Sequence, residues 1–438
     1  MKNKVLMILS FILIIVIETS CIFWRDNNRK VEKTEEKKEP VFNVNELWRI
    51  SLEDSPNVKT VIEDSFFYVV KGDLLYTTEE RKFKVLKINI NNPSEIIESK
   101  EFTGIEASDF LIVGNMLIIG TREFKVLILN KNDLSLIKEQ TIRHLMDGPV
   151  YEYKGNLYWE NGANGYRDEN RKLILEKDNV VKANLEDIIN CTSEIYEIEY
   201  VCHEFNGESI ISMRLEEGIL YFLTYNRDYW KEDGGLSYFV AWDLDSNQKL
   251  WVHELKYEFF RSEADIQIVG DKIYLISVGR YCFDKKTGKE LWRIIQTDED
   301  KTREVIIHTD TCLKDMLYYD GKFYFTNGEY FGSKGYGKYP KENYKNIICI
   351  NAEDGSYVWG DIFMFQISNA IGPCEYNDKI YFPTDAGLRV YEAQTGKLIG
   401  VNEDYKGTGY KFIYKYNDIL LMHINKRDHV DLVAMKAE

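Results

Sequence analysis

The chain lacks the motifs that would mark a familiar enzyme. No Gly-x-Ser-x-Gly elbow and no phosphate-binding glycine loop occurs in its 438 residues, which excludes the common hydrolase and nucleotide-binding layouts. The six histidines (144, 203, 253, 308, 423, 429) show no paired metal-ligand spacing with each other or with cysteine, so no metal is implied. Positive charge is in deficit, with 56 Lys and Arg against 72 Asp and Glu and a formal charge of −16. Nucleic-acid binding needs clustered cations that release counterions, so a nucleic-acid partner is excluded. Proline is scarce, at 7, and helical periodicity is essentially absent, which leaves short strands and turns as the expected building material. Carboxylates are too numerous for a catalytic pair to stand out.

What the chain does have is apolar and aromatic material for a large core: 44% hydrophobic residues, 14% aromatic, 30 of them Tyr. The N-terminus reads as an export signal. Lys2 and Lys4 precede an apolar run from Leu6 to Ile17, too short to span a membrane cleanly, and Glu18-Thr19-Ser20-Cys21 follows. Small residues directly before a cysteine suit a lipoprotein signal over residues 1–20 with Cys21 as the acylated new N-terminus. Glu18 and the apolar Ile22-Phe23-Trp24 suit an uncleaved signal anchor instead, and both readings stay open. Residues 21–45 are mostly charged and polar, cannot build a core, and read as a disordered tether. As a flexible coil it would hold a domain about 25 to 30 Å from a membrane. The envelope location, periplasmic or surface-exposed, is oxidising enough for disulfides; Cys191 and Cys202 in particular are spaced for a loop-stapling bridge or for two free thiols.

From residue 46 onward a unit repeats. Eight times a polar turn leads into an alternating apolar strand: at Gly72-Asp73, Gly114-Asn115, Gly155-Asn156, Glu217-Gly218, Gly270-Asp271, Asp320-Gly321, Asn377-Asp378 and Asn417-Asp418, spaced 40 to 62 residues apart. Gly, Asn and Asp supply such hairpin turns, and the spacing suits a four-stranded blade with variable loops. A second element follows, clearest in Tyr281-Cys282-Phe283-Asp284-Lys285-Lys286-Thr287-Gly288-Lys289-Glu290-Leu291-Trp292. Its glycine position reads Gly288, Asn247, Gly355 and Gly396 in successive units, the exchange expected where φ must be positive. Its tryptophan position reads Trp48, Trp251, Trp292 and Trp359, which points to packing between blades. Cys282 and Cys349 stand where other units have Ala241 and Ala434 and read as small buried fillers.

The ends complement each other. Leu432 to Lys436 matches Arg280 to Asp284 but no strand follows it, while Glu46-Leu47-Trp48-Arg49-Ile50 is identical to Glu290 to Ile294. Strand 46–50 is therefore expected to complete the last blade of a closed ring over residues 46–438. Eight blades are expected. Seven remain an alternative, because residues 176–209 show no clear repeat and contain a possible helix from Val181 to Ile189.

The small apolar residue, Asp, two variable positions, Thr-Gly-Lys and Trp together resemble the repeat of the pyrroloquinoline-quinone-like (PQQ-like) β-propeller family. The resemblance implies an all-β propeller of about eight four-stranded blades. Family dehydrogenases hold a quinone between an aromatic floor and a disulfide of adjacent cysteines, with calcium polarising it. This chain has no Cys-Cys pair, so the resemblance carries over the scaffold and implies no cofactor. Envelope lipoproteins of the family serve in outer-membrane protein assembly, which implies a non-catalytic protein-binding scaffold. A quinoprotein-like oxidoreductase and a glycan-binding envelope protein are the alternatives. Three long connections between second and third strands, Glu160 to Lys172, Tyr225 to Tyr238 and Asn327 to Asn346, are expected on one face of the disc. They carry Tyr166, Tyr229, Trp230, Tyr330, Phe331, Tyr336, Tyr339 and Tyr344 as a candidate binding face, since Tyr and Trp give large contact area at low entropic cost.

Overall fold

The computed structural model describes residues 40–53, 60–72, 82–104, 110–121, 123–143, 146–161, 166–167, 173–174, 179–202, 209–225, 237–255, 265–276, 280–294, 316–326, 347–361, 371–384, 387–406, 411–426 and 429–436. Their sheets include eight blades, each built on antiparallel strands, arranged as a β-propeller. Blade 5 is the plain case: Asp265–Val269, Lys272–Ile276, Arg280–Asp284 and Glu290–Ile294 pair in sequence order. Blades 1 to 4 occupy residues 60–103, 111–142, 147–201 and 209–255, blades 6 and 7 residues 317–361 and 374–402, and blade 8 residues 411–436 together with Asn45–Glu53. That N-terminal strand pairs antiparallel with His429–Lys436, Trp48 opposite Ala434, so the ring closes as the matching end sequences require. Closure leaves no open edge between the first and last blades.

One turn, one helix and one boundary differ from the sequence reading. The first hairpin turns at Asp64-Ser65, with Asp64 at φ +53°, whereas Gly72 ends the strand Phe66–Gly72. Asp tolerates the left-handed region well enough to do without glycine there. In blade 3, Val181 belongs to the strand Asn179–Asn184, and the helix is shorter and later, Leu185–Asn190, capped by Asn184 Oδ1 accepting from the Asp187 backbone N–H at 3.1 Å. Residues 41–44, placed in the tether by their polar surroundings, are part of the fold: the Phe42 N–H donates to the Val401 carbonyl at 3.0 Å, and Phe42 is buried. Among the described residues no helix is long and apolar enough to cross a membrane.

One rung recurs in every blade, made of the facing residues on strands two, three and four. In blades 4, 5, 6 and 8 it reads Tyr221-Ala241-Trp251, Tyr274-Cys282-Trp292, Tyr324-Cys349-Trp359 and Leu421-Ala434-Trp48. Each indole N–H donates to a carbonyl of the next blade: Trp251 to Lys285 at 3.1 Å, Trp292 to Ala352 at 3.1 Å, Trp359 to Ala393 at 3.0 Å and Trp48 to Ile90 at 2.8 Å. The three later turns carry Gly288, Gly355 and Gly396, where a Cβ would fall 2.3 to 2.8 Å from the ring of Trp251, Trp292 or Trp359. Glycine is thus needed twice, for its positive φ and for the ring that lies against it. The small third-strand residue leaves room beneath the same indole.

Junctions without a tryptophan are filled otherwise. Lys87 in blade 1 lies over the Phe66 ring at 4.0 Å and donates to the Asn132 carbonyl of blade 2. Between blades 2 and 3, Leu185 and Ile188 of the helix enter the core, and Ile195–Tyr196 pairs parallel to the outer strand of blade 2. Blade 7 has Gly400 at the tryptophan position, and Phe42 meets Tyr381 edge-on at 6.1 Å, the separation seen between Tyr274 and Trp292.

Candidate functional site

Antiparallel order divides the disc into two faces. Turns joining strands one to two and three to four lie on one of them, and these hold the tryptophan locks. Connections from strand two to three, and from blade to blade, leave from the other. The loop-bearing face is therefore the candidate site. Tyr166 belongs to a short strand, Tyr166–Arg167, paired with Leu173–Ile174 in the second connection of blade 3. Tyr229, Trp230, Tyr330, Phe331, Tyr336, Tyr339 and Tyr344 lie outside the described residues, as does Cys21.

The roots of these connections carry buried polar side chains that composition and spacing did not single out. Arg389, near the start of the third strand of blade 7, is 1% exposed; its Nε donates to the Tyr391 hydroxyl at 2.8 Å, and Nη2 reaches Asp361 of blade 6 at 3.3 Å. The Tyr391 hydroxyl in turn donates to Asp361 at 2.7 Å. Burial pushes the Tyr391 phenol well above its usual range, so it acts here as a neutral donor. On the other side of blade 6, Arg280 begins the third strand of blade 5 fully buried, its guanidinium 5.2 Å from the Phe325 ring. Burial lowers its pKa to about 10, still charged at neutral pH. Two guanidinium groups therefore flank the blade from which residues 327–346 depart. A hint existed in the sequence, since Arg280 and Arg389 interrupt apolar strands, but only the facing blade shows what each touches.

The closing seam holds a second polar cluster. Asp431 accepts from Arg49 at 2.9 Å and Ser51 at 2.6 Å, with His429 at 3.3 Å; Arg49 also bonds both oxygens of Glu46, and the Tyr405 hydroxyl donates to Glu46 at 3.2 Å. The Arg49 hydrogen bonds hold the Glu46 carboxyl below its usual range. These contacts tie the N-terminal strand to blade 8 and to the turn at Glu403–Tyr405.

The thiols are dispersed. No disulfide joins Cys191 and Cys202: Cys191 ends the helix beside blade 2, whereas Cys202 is buried in the core shared by blades 3 and 4. Burial raises Cys282 to about 11 and Cys349 and Cys374 to about 12. Among the described residues no group of three His, Cys, Asp or Glu could hold a metal. The four repeat tryptophans lie in blade junctions with their N–H groups bonded, and the sequence has no adjacent cysteines, so these residues do not fit the frame of a quinone site.

No family model and no curated protein matches the chain by sequence. Its fold has many counterparts among solved structures. BamB from Moraxella catarrhalis superposes over 91% of this chain and 98% of its own, with a TM-score of 0.53 at 10% identity. The quinohemoprotein alcohol dehydrogenase of Comamonas testosteroni does so over 90% and 77%, at 0.59 and 12%. A europium-containing methanol dehydrogenase covers 90% and 93%, at 0.59 and 10%. The fold is that of the PQQ-like repeat propellers. At these identities the likeness concerns architecture, and it joins a protein and enzymes that share the scaffold with different chemistry.

Proposed function

We propose that this PQQ-like propeller is a non-catalytic binding scaffold of the bacterial cell envelope, exported by residues 1–20, anchored through acylated Cys21, and held off the membrane by the segment up to residue 40. Its loop-bearing face engages a protein partner, in a role comparable to outer-membrane protein assembly. The observation that carries this reading is the division of labour between faces. Indole locks and tight turns hold the ring on one side, while the long aromatic-bearing connections leave from the other, rooted beside charged groups that bond one another. BamB, which shares the fold over 91% of this chain and 98% of its own, supports the scaffold reading.

The test is a crosslinking pull-down of the full membrane-bound chain from its own cells, comparing wild type with a combined Tyr229→Ala, Trp230→Ala, Tyr336→Ala variant. Recovery of outer-membrane assembly components, lost in the variant, is the expected result. Equal recovery from both proteins, or no specific protein partner, overturns the assignment and turns attention to glycans.

A further inference from the structure

Two blades carry an extra segment on the edge of their outer strand, and both receive it at the same positions. In blade 2, Lys138 stands at the tryptophan position, opposite Ile128. Past it, Thr141 and Ile142 pair parallel with Ile195 and Tyr196, and the Arg143 N–H donates to the Tyr196 carbonyl at 3.2 Å. In blade 7, Gly400 is followed by Val401, which pairs parallel with Val41 and accepts from the Phe42 N–H at 3.0 Å. Successive residues of a strand turn their N–H and C=O to opposite edges, so the outward groups fall at odd steps past the tryptophan position. Both outer strands bulge just before that position, at Ile137 and Ile399, so the bulge leaves the edge beyond it open to a neighbour.

Blade 4 has the same edge with no cover among the described residues. Its outer strand, Gln248–Leu255, bulges at Leu250 and then runs in regular register from Trp251 to Leu255. Val252 and Glu254 lie one and three steps past the tryptophan, so both turn their backbone groups outward. The other uncovered edges are short or guarded by charge, two common ways of blunting an edge. Blade 1 has its outer strand in two pieces, Ile96–Glu98 and Phe102–Thr103, and those of blades 3, 5 and 6 end at Val201, Ile294 and Asp361, two residues past the tryptophan position. In blade 8 the first outward residue is Arg49, held by Glu46 and Asp431. Blade 4 instead opens its edge with apolar Leu250 and Val252, 49% and 37% exposed. The covered edge of blade 2 shows what an incoming segment presents: Ile195 lies beside Thr141, and two residues on Glu197 bonds Arg143 at 2.9 Å. Blade 4 has the converse charge, with exposed Glu254 two residues past Val252.

We propose that the outer edge of blade 4 receives an extended segment of a partner polypeptide as a parallel fifth strand. The outward groups of Val252 and Glu254 bond its main chain, an apolar side chain of the segment lies beside Val252, and a Lys or Arg two residues on lies beside Glu254. The formal charge of −16 favours a partner segment of that sign. The edge belongs to the rim of the disc, so the assignment does not depend on the loop-bearing face being a contact surface.

The test titrates the full-length chain, in nanodiscs of zwitterionic lipid, into the fluorescein-labelled peptide Ser-Thr-Val-Thr-Lys-Thr-Ser and follows anisotropy. Saturable binding is expected, with a Kd on the order of 0.1 to 1 mM for so short a strand. Val252→Pro removes an outward N–H and leaves the inward ladder intact, and is expected to weaken binding about fivefold or more. Glu254→Lys is expected to weaken it as well, and the peptide with Glu in place of Lys restores it. This charge exchange decides the matter if Val252→Pro does not fold. No saturable binding by wild type, undiminished binding by a folded Val252→Pro, or the same preference between the two peptides in wild type and Glu254→Lys overturns the proposal.

Discussion

The tryptophan locks can be tested within a single blade by comparing two glycine substitutions. Gly270 and Gly288 both belong to turns of blade 5 and have nearly the same backbone, φ +60° and +67°. A Cβ on Gly270 meets nothing within 4 Å, whereas one on Gly288 falls 2.4 Å from Cδ2 of Trp251. Gly270→Ala therefore costs only the left-handed conformation, roughly 1 to 2 kcal/mol. Gly288→Ala costs that and more. Carbon atoms pack at about 3.5 to 4.0 Å, so the Trp251 ring must retreat by about 1 Å or more. Overpacking of this kind adds roughly 1 to 3 kcal/mol, and full expulsion of the indole sets an upper range of about 3 to 5 kcal/mol for the added term.

Urea unfolding followed by circular dichroism measures both variants, and the Trp251→Ala background completes the cycle. With the indole gone, Gly288→Ala should cost no more than Gly270→Ala. Two results refute the reasoning: equal destabilisation by the two alanines in wild type, or a Gly288→Ala penalty that persists undiminished in Trp251→Ala. Either would mean that the glycine serves the turn alone and that the indole does not lock the junction.

Phe42→Ala removes the aromatic that replaces a tryptophan between blades 7 and 8; it should cost about 3 kcal/mol, with hydrogen exchange faster across 41–53 and 429–436 than in blade 5. Glu46 carries a lowered pKa, so its contribution is present above its unfolded value near 4.5 and is lost as pH falls through the folded value. The urea midpoint of Glu46→Gln should accordingly change less than that of wild type between pH 6 and pH 3. Asp361→Ala strands Arg389, whose side chain is 2% exposed, and should cost about 3 kcal/mol, most of it recovered in D361A/R389M; an additive double variant would argue against the pairing. Alkylation at pH 8 mapped by peptide mass should label half-buried Cys191 and spare Cys282, Cys349 and Cys374 until the chain unfolds.

The sequence is most legible where one physical requirement recurs at a fixed spacing. An indole over a small residue and against a glycine must repeat its neighbours as well as itself, so blades 4 to 6 and the closing strand announce themselves. Where the filler changes, the signal disappears. Lys87, Lys182 and Ile128 occupy the third-strand position in blades that lack a tryptophan, and nothing in their identity says that they belong to the rung of Ala241 and Cys282. Phe42 was hidden differently: one aromatic in a polar stretch has no period, and its partner Tyr381 lies more than three hundred residues away. The Arg389-Tyr391-Asp361 cluster crosses a blade boundary, so a strand-by-strand reading meets its members separately.

Each irregular junction has a substitute of its own: a lysine, a helix with an added strand, and a returning N-terminal segment. A ring of eight blades needs every junction packed, since a loose junction exposes an apolar sheet face on both of its neighbours. Between blades 3 and 4 the substitute is Trp242, 4% exposed, whose indole N–H donates to Asn247 Oδ1 at 3.1 Å and which shares a core with Tyr158. The same two blades are tied by Tyr153 and Lys154, which both bond Asp245, and by the Tyr151 hydroxyl, which donates to the Met213 carbonyl. If Trp242 closes this junction, Trp242→Ala should cost about 3 to 5 kcal/mol in urea unfolding. A cost below about 1 kcal/mol would show that the junction is held without it.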